Sequence, residues 1–194
     1  MTTKTWTGGY ADTARSVDAS LRALRTDYVD LLLVHEPSGD VADIWRALEE
    51  AYRAGKARAI GVSNFLGNDF ERLLGTADVM PTVNQLECHV YRQQRDMQTA
   101  CAERGVLMTS WSPFAAGRNG FFFNPTLSEI AEAHGASVAQ VGLRWLVQRG
   151  IPVIPKSADS RRMRENLMLG FELSSEEMDA IAALDTGRSQ FGWW

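Results

Sequence analysis

The sequence contains few of the residues that build metal sites and disulfide frameworks. Its 194 residues include two cysteines and three histidines. Metal sites on helices commonly use ligand pairs three or four positions apart, and His35, His89 and His134 have no such partner. We therefore expect no metal, and we interpret Cys88 and Cys101 as reduced structural thiols.

Long apolar runs are also absent. No stretch approaches the roughly 20 apolar residues that a transmembrane helix needs, and residues 1–6 lack the hydrophobic region of a signal peptide. We therefore expect a cytoplasmic chain with no membrane partner. The 20 basic and 24 acidic residues give a net charge of −4 without a basic stripe, so we expect no nucleic-acid partner.

No linker or low-complexity tract divides the sequence, so we interpret residues 1–194 as one domain. Short apolar runs alternate with segments of helical periodicity, which predicts a parallel α/β fold. A full (β/α)8 barrel needs about 250 residues, or roughly 31 per unit, so 194 residues supply about six units. This matches six predicted strands, at residues 1–6, 29–34, 57–62, 81–84, 106–110 and 151–155. The predicted helices cover residues 12–25, 41–54, 69–74, 91–104, 127–133, 138–149, 159–169 and 176–184.

The segment of residues 29–34 contains four consecutive large apolar residues, Leu31 to Val34, and ends on His35. Consecutive large apolar residues without alternation are typical of a strand covered on both faces. An isolated histidine in such a place is usually a hydrogen-bonded structural residue. Four further runs, however, also end on polar or aromatic side chains, namely Ser63-Asn64, Gln85, Trp111-Ser112 and Lys156-Ser157. Since the carboxyl ends of parallel strands meet, five such runs predict a binding site there.

Several motifs resemble those of the aldo/keto reductases, most closely the bacterial group that includes the diketogluconate reductases. They are Thr2-Thr3-Lys4-Thr5-Trp6, the run from Asp27 to His35, Ile60-Gly61-Val62-Ser63-Asn64-Phe65, Asn84-Gln85, Trp111-Ser112-Pro113, Ile154-Pro155-Lys156-Ser157 and Arg162-Met163-Arg164-Glu165-Asn166. The resemblance implies a (β/α)8 barrel of the TIM type, here incomplete and without its first two βα units. It also implies an NADPH-dependent oxidoreductase that reduces aldehydes or ketones to alcohols. Such barrels bind NADPH without a Gly-rich dinucleotide loop, which agrees with the absence of a G-x-G-x-x-G motif.

The resemblance implies cofactor-binding roles at the nicotinamide end of NADPH. Ser63, Asn64 and Gln85 would hold the carboxamide, since amide side chains offer both donors and acceptors. Trp111, followed by Ser112, would stack on the nicotinamide ring. Core packing is the alternative interpretation of this tryptophan.

At the other end of NADPH, Lys156, Ser157 and Arg162 would surround the 2′-phosphate, with Glu165 and Asn166 near the adenine. A dianionic phosphate favours a point charge, a guanidinium and a hydroxyl, preferably at a helix N-terminus. A solvated basic helix face would use the same residue types, so that interpretation stays open.

For the reaction itself, the resemblance assigns catalytic roles to Lys4 and His35. The lysine lowers the pKa of a tyrosine that protonates the carbonyl oxygen, and the histidine orients or polarises the carbonyl. In the family this tyrosine and an aspartate precede the lysine, whereas here three residues precede Lys4. Neither Tyr10 nor Tyr28 matches the tyrosine. We therefore expect impaired carbonyl reduction, and a non-catalytic NADP(H)-binding or structural subunit is the alternative.

A barrel without two of its strands has open sheet edges. We therefore expect self-association, with interior residues such as Leu32 and Val83 bordering water. The chain stops at Trp193-Trp194, where family members usually continue into a substrate-covering tail. No residue identifies the carbonyl substrate.

Three adjacent phenylalanines, Phe121-Phe122-Phe123, lie in a Gly-rich stretch without helical or strand periodicity. Long irregular loops of this kind often cover binding sites. The two interpretations are a hydrophobic lid over a pocket and apolar packing under the loop.

Overall fold

Strands alternate with helices from Thr2 to Trp111, which confirms the predicted α/β class. The computed structural model describes residues 1–192, so Trp193 and Trp194 lie outside the described residues. The strands are β1 (Thr2–Thr5), β2 (Leu31–Val34), β3 (Ile60–Ser63), β4 (Val83–Glu87) and β5 (Leu107–Trp111), with α1 (Tyr10–Leu24), α2 (Val41–Arg53), α3 (Gly67–Leu74) and α4 (Arg95–Glu103) between them. They form one sheet in the order β1-β2-β3-β4-β5, and the pairs from β1 to β4 are parallel.

Helices dominate the chain after β5. A 3-10 segment spans Ala115–Phe123, and α5 (Pro125–Ala133), α6 (Val138–Gln148), α7 (Ser160–Glu165) and α8 (Ser175–Ala182) follow. Asn124, Ser137 and Ser174 each accept a backbone N–H from the third residue ahead. These caps explain why α5, α6 and α8 begin where they do. Within residues 1–192, no helix combines the length and apolar character that crossing a membrane requires.

The chain divides into two compact units. The first contains Met1–Leu86 and Met97–Met108, and the second contains Glu87–Asp96 and the residues from Thr109 onward. The interpretation of the sequence as one domain stays a prediction.

The register of the first four strands places several predicted site residues at one edge. Ser63, the last residue of β3, pairs with Gln85 of β4, and Lys4 is the last residue but one of β1. His35 directly follows β2, and its backbone N–H donates to the carbonyl oxygen of Thr5 (3.0 Å). The carboxyl ends of these strands therefore lie together, as a parallel sheet requires.

Gly61 lies in the middle of β3, where the neighbouring strands come very close. A Cβ at this position would be 2.6 Å from the carbonyl oxygen of Val83 and 2.8 Å from Leu33 Cδ2. Only glycine fits here without a shift of the surrounding backbone.

Both faces of β2 are covered, as its uninterrupted apolar run predicts. Leu33 is fully buried, and Val34 is 2% exposed. The expectation that Leu32 and Val83 border water is wrong, because they are 1% and 9% exposed. Leu32 lies on an interior strand, paired with β1 on one side and β3 on the other, and α2 packs against β2 and β3, so its burial does not require a closed barrel.

The sixth predicted strand, residues 151–155, is not a strand in the structure. It makes one isolated bridge between Val153 and Ser110. The N–H of Ser110 donates to the carbonyl of Pro152 (2.8 Å), and the N–H of Ile154 donates to that of Ser110 (3.3 Å). Pro152 and Pro155 have no N–H to donate, which prevents a longer ladder.

Two helices are five residues shorter than predicted. α4 begins at Arg95 rather than at residue 91, because residues 88–94 form a tight turn. His89 and Arg92 close this turn with two backbone hydrogen bonds (both 3.0 Å), and Gln94 follows with a positive φ of 52°. α7 ends at Glu165 rather than at residue 169.

Candidate functional site

In the first unit, five predicted site residues form one connected group at the carboxyl edge of the sheet. Lys4 Nζ lies 3.5 Å from Ser63 Oγ. The Asn64 side chain donates to the carbonyl oxygen of His35 (3.2 Å), and its backbone N–H donates to that of Gln85 (3.0 Å). The structure therefore brings together four of the residues predicted from the strand ends, namely His35, Ser63, Asn64 and Gln85, with Lys4 beside them.

Lys4 and His35 are both shifted toward their neutral forms. Burial lowers the pKa of Lys4. Burial also lowers the pKa of His35, and the positive charge of Lys4 adds to this effect while Glu36 opposes it. The lowered pKa of His35 favours its uncharged imidazole, which can donate a hydrogen bond to a carbonyl oxygen.

Trp6 is a residue of this edge that the sequence-based reasoning missed. Its ring meets the His35 ring edge to face, with 5.2 Å between the ring centroids, and the residue is 67% exposed. Trp6 follows Lys4 by two positions, and residues two apart in an extended chain point to the same side. That spacing could have identified it.

Gln85 has a buried side-chain oxygen without a partner. The residue is 4% exposed, and its Oε1 has no hydrogen-bond partner among the described residues. A buried acceptor left unpaired is costly and uncommon, so it indicates a place for a donor from outside the chain. The NH₂ of a nicotinamide carboxamide is such a donor. Ser63 pairs with Gln85 in the sheet, and Asn64, the residue after Ser63, donates its backbone N–H to the Gln85 carbonyl. The residues at this edge fit the group that the resemblance implies.

Within residues 1–192, no tyrosine hydroxyl is hydrogen-bonded to Lys4, and the Lys4 side chain contacts Ser63 instead. Three of the four tyrosines have other partners: Tyr10 bonds to Glu50, Tyr28 lies against the guanidinium of Arg58 and Tyr91 bonds to the carbonyl of Asn119. The fourth, Tyr52, is 41% exposed on α2.

In the second unit, Trp111 ends β5 and Ser112 follows it with a positive φ of 52°. The Trp111 ring packs against Phe191, with 5.1 Å between ring centroids. Arg118 lies 4.5 Å from the centre of the Phe191 ring. Since Trp111 is half-buried, its packing is that of a residue at the border of the core.

The second unit also contains a cavity of about 850 Å³. Its lining includes all five residues predicted for the 2′-phosphate and adenine: Lys156, Ser157, Arg162, Glu165 and Asn166. Three of these, at positions 162, 165 and 166, share one face of α7 and its C-terminal end because they are three and four residues apart. Phe114, Phe122 and Phe123 also line the cavity.

Two cations of this cavity form no ion pair in the described chain, although the positive charge of Arg162 acts on Asp159, which also lines the cavity. Within the described chain, neither Lys156 nor Arg162 takes part in an ion pair, whereas Arg161 pairs with Glu165 (3.1 Å). Asp159 accepts the backbone N–H groups of Arg161 (2.8 Å) and Arg162 (3.0 Å), and these bonds, that of Arg162 first, lower the pKa of Asp159. The Asp159 carboxylate therefore occupies the N-terminus of α7, which is where the sequence predicted that the phosphate would preferably lie. An anion here would be bound by side chains.

A buried ionic cluster in the second unit is a further feature that the sequence did not indicate. The side chain of Glu87 is 1% exposed and accepts from His89 Nε2 (3.0 Å), Arg92 Nη1 (2.8 Å) and the backbone N–H of Gln190 (2.8 Å). Burial opposes the charge of Glu87, but hydrogen bonds from His89, Ser189 and Gln190 outweigh it and lower the pKa of Glu87 to about 2. The cluster attaches the segment around Gln190 to the end of β4.

Comparison with known proteins identifies relatives of the chain. The profile of the Aldo/keto reductase family matches residues 3–122 and 120–186. Glyoxal reductase of Bacillus subtilis (strain 168) is 44% identical over 189 residues, which cover 95% of this chain and 68% of that protein. The 2,5-diketo-D-gluconic acid reductase B of Corynebacterium sp. is 41% identical over 184 residues, which cover 93% and 66%. The chain thus spans about two thirds of the length of these relatives.

Solved structures show the same likeness. A mutant of Gox0644 in complex with NADPH matches with a TM-score of 0.91 at 36% identity, over 100% of this chain and 74% of that chain. An aldo-keto reductase of Bombyx mori in complex with NADP matches with a TM-score of 0.90 at 31% identity, over 97% and 68%. These neighbours confirm the predicted fold of the (β/α)8-barrel type.

Proposed function

The chain belongs to the aldo/keto reductase family, and we propose that it binds NADPH and reduces aldehydes or ketones to alcohols by hydride transfer. The observation that carries the proposal is the cavity lined by Lys156 and Arg162, neither of which forms an ion pair in the described chain. Two such charges beside the Ser157 hydroxyl suit a dianionic phosphate such as the 2′-phosphate of NADPH. A relative of known structure holds NADPH, which supports the same cofactor here.

The polar groups of the first unit serve the nicotinamide in this proposal. Gln85 Oε1 accepts from the carboxamide NH₂, and Ser63 and Asn64 complete its hydrogen bonds. In the second unit, Trp111 supplies an aromatic surface for the ring, with Ser112 after it. The bound cofactor would supply the hydride to the carbonyl carbon, and the proton that the oxygen takes up to form the alcohol would come from water.

His35 and Lys4 act on the substrate carbonyl. The neutral imidazole of His35 donates to the carbonyl oxygen and orients it, and the ammonium of Lys4 stabilises negative charge that develops on that oxygen. The exposed ring of Trp6 beside His35 adds an apolar wall. Glyoxal, after which the Bacillus subtilis relative is named, is therefore a suitable first substrate for assay.

One observation favours a second candidate, an NADP(H)-binding protein without reductase activity. No tyrosine in the described part of the chain is hydrogen-bonded to Lys4, so the acid of the family reaction is not supplied by the residues around it. Both candidates require the same cofactor site. A reductase assay separates them, and a binding assay tests what they share.

Replacing Arg162 by alanine should weaken NADPH binding about ten- to a hundredfold, since a hydrogen bond to a charged group contributes about 1.5 to 3 kcal/mol. NADH lacks the 2′-phosphate, so its binding should change little. Titration of the protein's tryptophan fluorescence with each cofactor measures both affinities. Arg164→Ala is the matched control, because Arg164 lies on the same helix and does not line the cavity. Equal losses for the two cofactors would refute the phosphate assignment.

We propose that the 194-residue polypeptide self-associates through β1, the first strand in the sheet order. The carbonyls of Met1 and Thr5 accept N–H groups from the side of β2. Backbone groups alternate in direction along a strand, so those of Thr2 and Lys4 face the other way and are available to a second copy.

Size-exclusion chromatography should therefore show species larger than the 21.5 kDa monomer. Thr2→Pro removes one outward N–H and should shift the protein toward the monomer, whereas Thr2→Ala keeps that N–H and should not. An unaltered chain that elutes as a monomer and melts cooperatively above about 60 °C would contradict the proposal.

A further inference from the structure

Of the three adjacent phenylalanines, Phe121 and Phe123 differ most in burial. Phe121 is fully buried and contacts Phe114 and Tyr91, with ring centroids 5.8 and 6.3 Å apart. Of the two interpretations, apolar packing therefore applies to Phe121. Phe123, in contrast, is 87% exposed and lines the cavity that contains Lys156 and Arg162.

The backbone around Phe123 is held in place although its ring is exposed. Phe121 anchors the segment two residues earlier. Asn124, the next residue, caps α5 by accepting the N–H of Leu127 (3.1 Å), and its amide lies 3.3 Å from the Tyr91 hydroxyl. A phenyl ring that stays in water forgoes the stabilisation that burial would give. A ligand that covers this ring would recover it.

We propose that Phe123 stacks on the adenine base of NADPH, an inference that rests on the proposed function. The 2′-phosphate and the adenine are attached to the same ribose, so a phosphate between Lys156 and Arg162 places the base in the same cavity. Bases stack favourably on exposed aromatic rings. The face of α7 that carries Arg162 and Asn166 supplies polar groups, and Phe123 supplies the aromatic surface.

Adenosine 2′-monophosphate contains only the base, the ribose and the 2′-phosphate, so it is the probe for this contact. In isothermal titration calorimetry, Phe123→Ala should bind it about five- to a hundredfold more weakly than the unaltered chain. Phe123→Trp should retain the affinity, and Phe123→Leu, which keeps apolar bulk without an aromatic face, should fall between. Inorganic phosphate should bind all four proteins equally.

Leu167→Ala is the matched control, because Leu167 is also highly exposed (84%) and does not line the cavity. Unchanged binding of adenosine 2′-monophosphate by Phe123→Ala, together with a loss in Arg162→Ala, would overturn the stacking contact and leave the proposed function standing. A loss for inorganic phosphate as large as that for the nucleotide would also overturn it. Failure of the unaltered chain to bind either the nucleotide or NADPH would overturn both.

Discussion

A polypeptide of these 194 residues is expected to reduce glyoxal with NADPH at least about a hundredfold more slowly than the Bacillus subtilis glyoxal reductase, since general acid catalysis contributes about 10² to 10⁴-fold. Within residues 1–192, no tyrosine hydroxyl is hydrogen-bonded to Lys4 to act as that acid. If His35 orients the carbonyl as proposed, a rate above the uncatalysed reaction should remain. The fall in NADPH absorbance at saturating cofactor measures both enzymes.

Variants of the nearby residues sharpen this test. Tyr10→Phe and Tyr28→Phe should leave the rate unchanged, because these side chains contact Glu50 and Arg58. Lys4→Met should lower the residual rate. A large loss in either tyrosine variant would identify that residue as the acid, and a rate within about tenfold of the relative would show that the acid is present.

Replacing Glu87 by glutamine should lower the free energy of unfolding by about 3 to 5 kcal/mol, the usual cost of removing one partner of a buried ion pair. Arg92 would keep its charge without a carboxylate, at 8% exposure. The new amide NH₂ would also face groups that themselves donate, among them the N–H of Gln190. Glu103→Gln is the control, since Glu103 is 65% exposed and pairs with its neighbour Arg104, and it should cost less than about 1 kcal/mol.

The pH dependence of this loss separates charge from packing. The pKa of Glu87 is lowered from 4.5 to about 2 in the folded state, so its stabilisation is fully present above pH 4.5 and is lost as the pH falls toward 2. Urea unfolding should therefore show the full difference between the unaltered chain and Glu87→Gln at neutral pH. The difference should shrink between these two pH values. A difference that does not change with pH would mean that the carboxylate charge is not its source.

The strands that could be predicted from the sequence are those whose formation depends on local composition. β2 is an uninterrupted apolar run, and β3 to β5 end on polar or aromatic residues. Residues 151–155 have similar composition, but Pro152 and Pro155 remove the donors that a ladder needs. Residues 151–155 still lead directly into Lys156, so the wrong strand assignment did not change the place of this predicted site residue in the chain.

The features that could not be predicted depend on contacts between distant residues. Glu87 accepts the N–H of Gln190, 103 residues later in the chain, and no local pattern indicates that pair. Likewise, the ring of Phe121 contacts Phe114 and Tyr91, and the sequence does not indicate which of the adjacent phenylalanines makes these contacts. The capping of α7 by Asp159 could have been predicted from the sequence, because an aspartate before a helix commonly accepts its first N–H groups.

The cofactor site is tested most directly by the affinities of the unaltered chain for NADPH and NADH, which differ only in the 2′-phosphate. If Lys156 and Arg162 bind that phosphate, NADPH should bind at least about tenfold more tightly than NADH, and added salt should reduce the difference. Equal affinities for the two cofactors, or no binding of either, would contradict it.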